Sequence, residues 1–174
     1  MSPLYETETL LAQLCSMRAF STEDFPKKSE ASPRRTENYN PTCMNRLKIS
    51  THKKRAVIDI TGQVQDELRR QHSGQGVCHL LILHTTAALT TADLDPGTDL
   101  DMLDAFEAMM PKLKYRHPHD PVHVPDHILS ALIGTSVSLP FQKSKLILGT
   151  WQRVVLIELD GPRERSVALT VIQE

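Results

Sequence analysis

The chain has 174 residues, 40% of them hydrophobic and 24% charged, with a formal net charge of −1 and a pI near 6.7. This length fits one ordinary domain, and the near-neutral charge gives no support to wholesale nucleic-acid binding. The longest apolar run, around Leu80 to Leu83, is far too short to span a bilayer, so we expect no membrane partner. Free thiols in a reducing, cytoplasmic location are expected from the odd, widely spread cysteines, which are Cys15, Cys43 and Cys78.

Residues 1–44 differ in composition from the rest of the chain. A short helix is favoured by apolar residues at helical spacing, namely Leu10, Leu11, Leu14 and Met17. The polar stretch 21–42 carries three prolines and cannot bury enough apolar surface to offset its ordering entropy. We interpret the segment as a disordered or weakly helical extension of a domain at 45–174. Its basic residues leave organelle targeting open, although Glu23 and Asp24 argue against a transit peptide.

From Asn45 onward the pattern alternates between short strands and helices. Strands are predicted at 45–51, 56–60, 77–85, 136–141, 145–149, 154–159 and 166–172. Two or three helices are predicted, with Thr61 as the N-cap of the first, Asp95 and Pro96 as N-cap and N1 of the second, and a start near Pro125 for the third. Expected packing faces are Leu100, Leu103, Phe106 and Met110 in the second helix and Ile128, Ala131 and Leu132 in the third. The order predicts an α+β domain with a mixed, mostly antiparallel sheet.

Residues 115–128 hold four of the chain's eight histidines. His127 falls in the first turn of the third helix, because Pro125 is tolerated only there. The positive end of the helix dipole disfavours protonation of that imidazole, and a neutral imidazole binds metal. His84 closes an apolar strand, and either His117 or His119 can converge with it and His127. The alternative is that each histidine has an ordinary surface or core role.

The segment Leu148 to Arg153 has two interpretations. It is either a bend with Trp151 as a core residue, or a donor-rich loop beside a ligand that uses Thr150 and Gln152. Arg163 and Arg165 likewise either contact an anion or are solvated turn residues.

The segments "CHLLILHTTAALT", "YRH", "PDHILSALIGTSVSLP", "KLILGTWQ" and "IELDGPRER", in this order, resemble the YjbQ-like family, also called the secondary thiamine-phosphate synthase family. The resemblance covers about Arg46 to Glu174. It implies a compact α+β domain whose sheet curls into a half-barrel, a homotrimer, and a divalent metal with zinc as the first candidate. The ligands it implies are His84, His117 and His127, so that His119 and His123 fall outside the site.

The resemblance also implies a reaction, the formation of thiamine phosphate from thiazole phosphate and a pyrimidine diphosphate. Where the family carries an Asn-Glu pair before "DP", this chain has Ala92 and Asp93, and Asp93 is one methylene shorter than glutamate. We take Asp93 and Gln152 as the catalytic candidates. The substrate-binding candidates are Thr85, Thr86, Arg116, Thr150, Trp151 and Arg165.

Two functional hypotheses stay open from the sequence. The first is a metal-dependent transferase in which the metal neutralises diphosphate oxygens. The second is a non-catalytic trimer that binds a metal or a small phosphorylated anion. The acid before "DP" distinguishes them, because a proficient enzyme needs it and a binder does not.

Overall fold

The computed structural model describes residues 44–71, 74–117 and 121–173. The predicted extension therefore lies outside the described residues, apart from Met44, which begins the first strand. No helix within the described ranges is both long and apolar enough to cross a membrane.

The described residues form eight strands, three α-helices and a single 3₁₀ turn at Pro121–His123. The strands are β1 (Met44–Ser50), β2 (Ala56–Asp59), β3 (Gln75–Ile82), β4 (Ala87–Ala92), β5 (Ser136–Gln142), β6 (Lys145–Leu146), β7 (Arg153–Glu158) and β8 (Glu164–Gln173). The helices are α1 (Thr61–Gln71), α2 (Thr98–Met109) and α3 (Val124–Ile133).

All strand pairings are antiparallel, in the orders β1-β8-β3-β5-β6 and β2-β7-β4. The strands curl into a half-barrel within a single compact domain, which confirms the predicted α+β fold, although the described pairings are all antiparallel where a mixed, mostly antiparallel sheet was predicted. The alternation of buried and exposed residues along β3 shows why this segment forms a strand with one face on the core. Cys78, Leu80 and Ile82 are buried on one face, whereas Val77 and Leu81 are exposed on the other.

Strand β7 lies at the centre of the core and is buried on both of its faces. Val154 and Leu156 pack into the larger apolar cluster, which also contains residues of α1 and the five-stranded sheet. Val155 and Ile157 pack into a second cluster with residues of α2 and α3. The sequence of a strand that is buried on both faces is typically a continuous apolar run, as it is in β7.

Cys78 belongs to the larger cluster, and burial raises the pKa of its thiol to about 12. The protonated thiol therefore packs as a small apolar group, as its position in an apolar strand predicts. Trp151, by contrast, has 67% of its surface exposed, so its predicted alternative as a core residue is wrong.

The helices exist where they were predicted, but their ends and faces differ. Helix α2 starts at Thr98 after Gly97, which has a φ of 98°, because Asp95 and Pro96 belong to the preceding turn. In α1, Thr61 is the first helical residue rather than the N-cap, and its amide is capped by the Asp59 carboxylate at 2.8 Å.

The packing faces were only partly anticipated. Phe106 of α2 and Met110, the residue after its end, pack into the second cluster, whereas Leu100 is exposed. In α3, Leu129 is buried, whereas Ala131 and Leu132 of the predicted face are exposed. A start of α3 at Val124 still leaves His127 in its first turn, as Pro125 required.

Candidate functional site

A polar cleft of about 680 Å³ opens where three connecting segments meet at one end of the strands. The segments are the β3–β4 connection, the start of α3, and the turn from β7 into β8. We call the cleft the histidine pocket. It is lined by Leu83, His84, Thr85, Thr86, His123, His127, Asp160, Arg163, Glu164 and Arg165.

His127 enters the histidine pocket from the first turn of α3. Its Nδ1 lies 3.0 Å from the backbone oxygen of Thr85. Because a carbonyl oxygen only accepts hydrogen bonds, Nδ1 carries a proton, and the lone pair of the neutral ring is on Nε2. This backbone contact orients the ring in the way that supports a metal-binding or proton-accepting histidine.

His84 is held from the opposite wall. The backbone N–H of Ser166 donates to its Nε2 at 2.9 Å. Burial and the positive charge of Arg165 lower the pKa of His84, and the opposing effect of Glu158 is smaller. The imidazole is therefore neutral at pH 7.

Three imidazole rings lie together at the α3 side of the pocket. The ring centroids of His117 and His127 are 5.6 Å apart, and His123 is 5.8 Å from His117 and 5.6 Å from His127. The sequence placed His123 outside the site, but it lines the histidine pocket. A signal for this was available, because His123 directly precedes the helix that Pro125 starts. His119 lies outside the described residues.

Asp160 and Arg163 form the next part of the wall. Arg163 donates from Nη2 to the Asp160 carboxylate and from Nε to its backbone oxygen, both at 2.7 Å. The same carboxylate lies 4.0 Å from Nδ1 of His123. These hydrogen bonds use Nε and Nη2 of Arg163, so Nη1 can serve a ligand.

Arg165 was predicted to bind substrate, but only 1% of it is exposed. Its guanidinium donates to both carboxylate oxygens of Glu158 and to the hydroxyl and backbone oxygens of Thr86. Glu158 is also buried and accepts hydrogen bonds from Thr51 and the amide of Asp160. Arg165 therefore stabilises the wall of the pocket through its hydrogen bonds to Thr86.

The state of Glu158 predicts an acid-sensitive fold. Burial would raise the pKa of this carboxyl, but the hydrogen bonds from Arg165, Asp160 and Thr51 outweigh it, so the net pKa is lowered from 4.5. A carboxyl with a lowered folded-state pKa adds stability above its unfolded-state pKa and loses it as the pH falls through the folded-state pKa. We expect the free energy of unfolding, measured with urea, to fall below about pH 4.5 more steeply in the wild type than in Glu158→Gln. Equal slopes in the two proteins would contradict this.

The remaining predicted site residues do not line the histidine pocket. In the β4–β7 pair, Ala87 faces Glu158 beside the pocket and Ala92 faces Arg153 at the other end. Five residue steps separate these ends by about 17 Å. Asp93 follows Ala92, and the exposed run of Thr150, Trp151 and Gln152 precedes Arg153, so within one chain this group lies at the far end.

Gln152 has a structural contact at that far end. Its amide nitrogen donates to the hydroxyl of Thr91 at 3.0 Å, and its oxygen accepts from the amide of Gly149 at 2.9 Å. Arg116 is exposed beside His117 and is not part of the pocket lining. The predicted site residues that line the histidine pocket are thus His84, Thr85, Thr86, His127 and Arg165.

The predicted metal ligands fit a metal only in part. Two imidazoles on one tetrahedral ion have ring centroids about 5 Å apart, which is close to the separation of His117 and His127. His84 does not fit in this arrangement, because its Nε2 is engaged by the amide of Ser166. Among the side chains that the structure describes, no three His, Cys, Asp or Glu residues are arranged to hold a metal ion.

Comparison with known proteins gives one consistent answer. The chain is 36% identical to a UPF0047 protein of Archaeoglobus fulgidus over 127 residues, 72% of this chain and 98% of the relative. It is 34% identical to the UPF0047 protein YugU of Bacillus subtilis over 121 residues, 69% of this chain and 92% of the relative.

Solved structures agree with the sequence relatives. A YbjQ-like protein of unknown function from Sulfolobus solfataricus has a TM-score of 0.69 and 28% identity, over 75% of this chain and 96% of that one. A hypothetical protein from Aeropyrum pernix has a TM-score of 0.69 and 31% identity, over 75% of this chain and 98% of that one. The family model "UPF0047 protein YjbQ-like" matches residues 45–174, which is most of the chain. The chain therefore belongs to the YjbQ-like UPF0047 family.

Proposed function

We propose that the histidine pocket binds a small phosphorylated molecule. The observation that carries the proposal is the convergence of polar donors on one cleft, where Arg163, His84 and the hydroxyl of Thr85 meet. Charge-assisted hydrogen bonds from a guanidinium to phosphate oxygens are among the strongest that proteins make. The carboxylate of Asp160 is paired with Arg163, and that of Glu164 is paired with Lys48, which reduces their repulsion of an anion.

The test of this proposal removes one donor. Arg163→Ala is expected to weaken the binding of inorganic phosphate about tenfold or more, because a hydrogen bond to a charged group contributes roughly 1.5–3 kcal/mol. Isothermal titration calorimetry at fixed ionic strength measures the change. Arg69→Ala is the matched control, since 57% of the Arg69 side chain is exposed, as against 53% for Arg163, and Arg69 lies on α1 outside the pocket lining. Equal affinities in wild type and both variants would refute a phosphate site in this pocket.

A divalent metal, with zinc as the first candidate, is proposed beside this anion on the donor chemistry of His117 and His127. When bound, it would neutralise negative charge on phosphate oxygens. The support is the open Nε2 of His127, whose other ring nitrogen is held by the Thr85 carbonyl.

The second candidate function is the transferase that the family resemblance implied, which makes thiamine phosphate from thiazole phosphate and a pyrimidine diphosphate. It is favoured by the size of the cleft, because about 680 Å³ exceeds the need of a single phosphate and lies in the range of small-molecule sites. Incubation of the purified protein with both substrates tests it. Product that disappears in Arg163→Ala supports the enzyme, whereas no product from the wild type favours the binding protein.

We also propose the homotrimer that the resemblance implied. About 17 Å separates the two ends of the β4–β7 pair within one chain. The far-end group can therefore reach a histidine pocket only from another copy of the chain. This group consists of Asp93, Thr150, Trp151 and Gln152. The exposure of Trp151 is compatible with such a contact. Light scattering at micromolar concentration is expected to give three times the chain mass of 19.6 kDa. A monomer would contradict the proposal.

A cytoplasmic location is proposed from the cysteine usage alone, with organelle targeting as the alternative. Microscopy of cells that express the full chain with a C-terminal tag tests it.

A further inference from the structure

Two histidines of the pocket are fixed in the same tautomer, with the proton on Nδ1, by backbone groups of opposite kind. The group that faces Nε2 of His84 is the amide of Ser166, which can only donate, so Nε2 must carry the lone pair. The group that faces Nδ1 of His127 is the carbonyl of Thr85, which can only accept. In the neutral form, both rings therefore have the proton on Nδ1 and the lone pair on Nε2, and Ser166 uses that lone pair only in His84.

We propose that His84 is a fixed hydrogen-bond donor to an oxyanion in this pocket, and that it is not a metal ligand. The ligand class is a phosphate or phosphate monoester, bound between Nδ1–H of His84 and Nη1 of Arg163. The inference deepens the proposed function, on which it rests. It departs from the ligand set His84, His117 and His127 that the sequence predicted.

The physical reason lies in the number of lone pairs. A neutral imidazole has one, and in His84 the amide of Ser166 uses it at 2.9 Å. Metal binding at Nδ1 would move the proton to Nε2, where it would meet the N–H of Ser166 and leave that amide without its acceptor. A part-buried amide that loses its hydrogen-bond partner destabilises the arrangement. The lowered pKa of His84 agrees with a ring that stays neutral at pH 7.

Local structure holds this arrangement in place. Ser166 follows the buried Arg165 in β8, and Arg165 donates to the hydroxyl of Thr86 at 3.1 Å. On the other side of His84, the amide of Leu83 donates to the backbone oxygen of Ser166 at 2.9 Å, so the chain on both sides of His84 is attached to β8. A rotation of the ring would have to break this contact with a paired strand.

The direct test is ¹⁵N NMR of the histidine side chains in the full chain at pH 7.5. The proton of His84 is expected on Nδ1, and added Zn²⁺ should shift the resonance of Nε2 in His127 while the His84 pattern stays unchanged. A proton on Nε2 of His84 without zinc would overturn the inference. Conversion of His84 to that tautomer by zinc would also overturn it, while supporting a metal site.

A substitution at His84 tests its hydrogen-bond donor separately from the stability of the fold. His84→Gln keeps a carbonyl that can accept from Ser166 but replaces the fixed Nδ1–H by an amide N–H on a flexible side chain, so phosphate affinity should fall about tenfold and zinc affinity should stay within about twofold. His127→Ala should reduce zinc affinity. His79→Ala is the control, because His79 contacts Ser138 on β5 and does not line the pocket. If His84→Gln binds phosphate as tightly as the wild type while Arg163→Ala still loses binding, the role of His84 is refuted and the phosphate site is not. Loss of zinc binding in His84→Gln would also refute the role of His84.

Discussion

Replacing Arg165 by methionine is expected to lower the free energy of unfolding by about 3–5 kcal/mol, because it leaves Glu158 as a buried carboxylate without its partner. The same change frees Thr86, which the guanidinium holds through its hydroxyl and backbone oxygens. Urea denaturation with the midpoint and slope fitted separately measures the loss.

Two further variants separate charge burial from lost packing. The double variant Arg165→Met/Glu158→Leu should recover most of the stability, since no unpaired charge is then buried. Arg163→Met is the control in the same turn, because 53% of its side chain is exposed and surface pairs contribute about 0–1 kcal/mol. A single Arg165→Met variant as stable as the control would contradict the role assigned to this pair.

The second large effect is expected at Arg55, which joins the chain before β2 to α2 and α3. Its guanidinium contacts Asp126 at 2.8 Å and Glu107 at 3.2 Å. The Asp126 side chain is only 3% exposed, whereas that of Glu107 is 77% exposed. Arg55→Leu should therefore destabilise the domain by about 3 kcal/mol, because the buried carboxylate of Asp126 loses its partner.

The two carboxylates supply the control for this prediction. Glu107→Gln should change stability by less than about 0.5 kcal/mol, since an exposed pair contributes little. Because Asp126 directly precedes His127, Arg55→Leu should also weaken zinc binding at the start of α3. Equal effects of Arg55→Leu and Glu107→Gln on thermal unfolding would show that burial of Asp126 is not what makes the contact important.

Much of the fold was predictable because apolar periodicity follows from burial. The continuous apolar run in β7 reflects its position between two clusters, and alternation in β3 marks its single buried face. Helix starts were less certain. Gly97 is the N-cap of α2, because a left-handed residue closes the preceding turn, whereas Asp95 and Pro96 match the usual cap pattern but belong to that turn.

The candidate site was predictable only where local rules act on it. Pro125 places His127 in a first helical turn, and the end of an apolar strand places His84 at the edge of the core. Nothing local indicates that Arg165 pairs with Glu158 or that Ser166 engages His84, because these contacts depend on strand register. The register also separates Asp93 from the pocket, which spacing along the chain does not reveal.

The central claim is that a phosphorylated anion binds in the histidine pocket, and a crystal structure of the full chain soaked with inorganic phosphate tests it most directly. The account predicts tetrahedral density within hydrogen-bond distance of Nδ1 of His84 and Nη1 of Arg163. Phosphate bound only elsewhere, for example beside Lys112 and Lys114 in the cleft near α2, with the histidine pocket empty of it, would contradict the account.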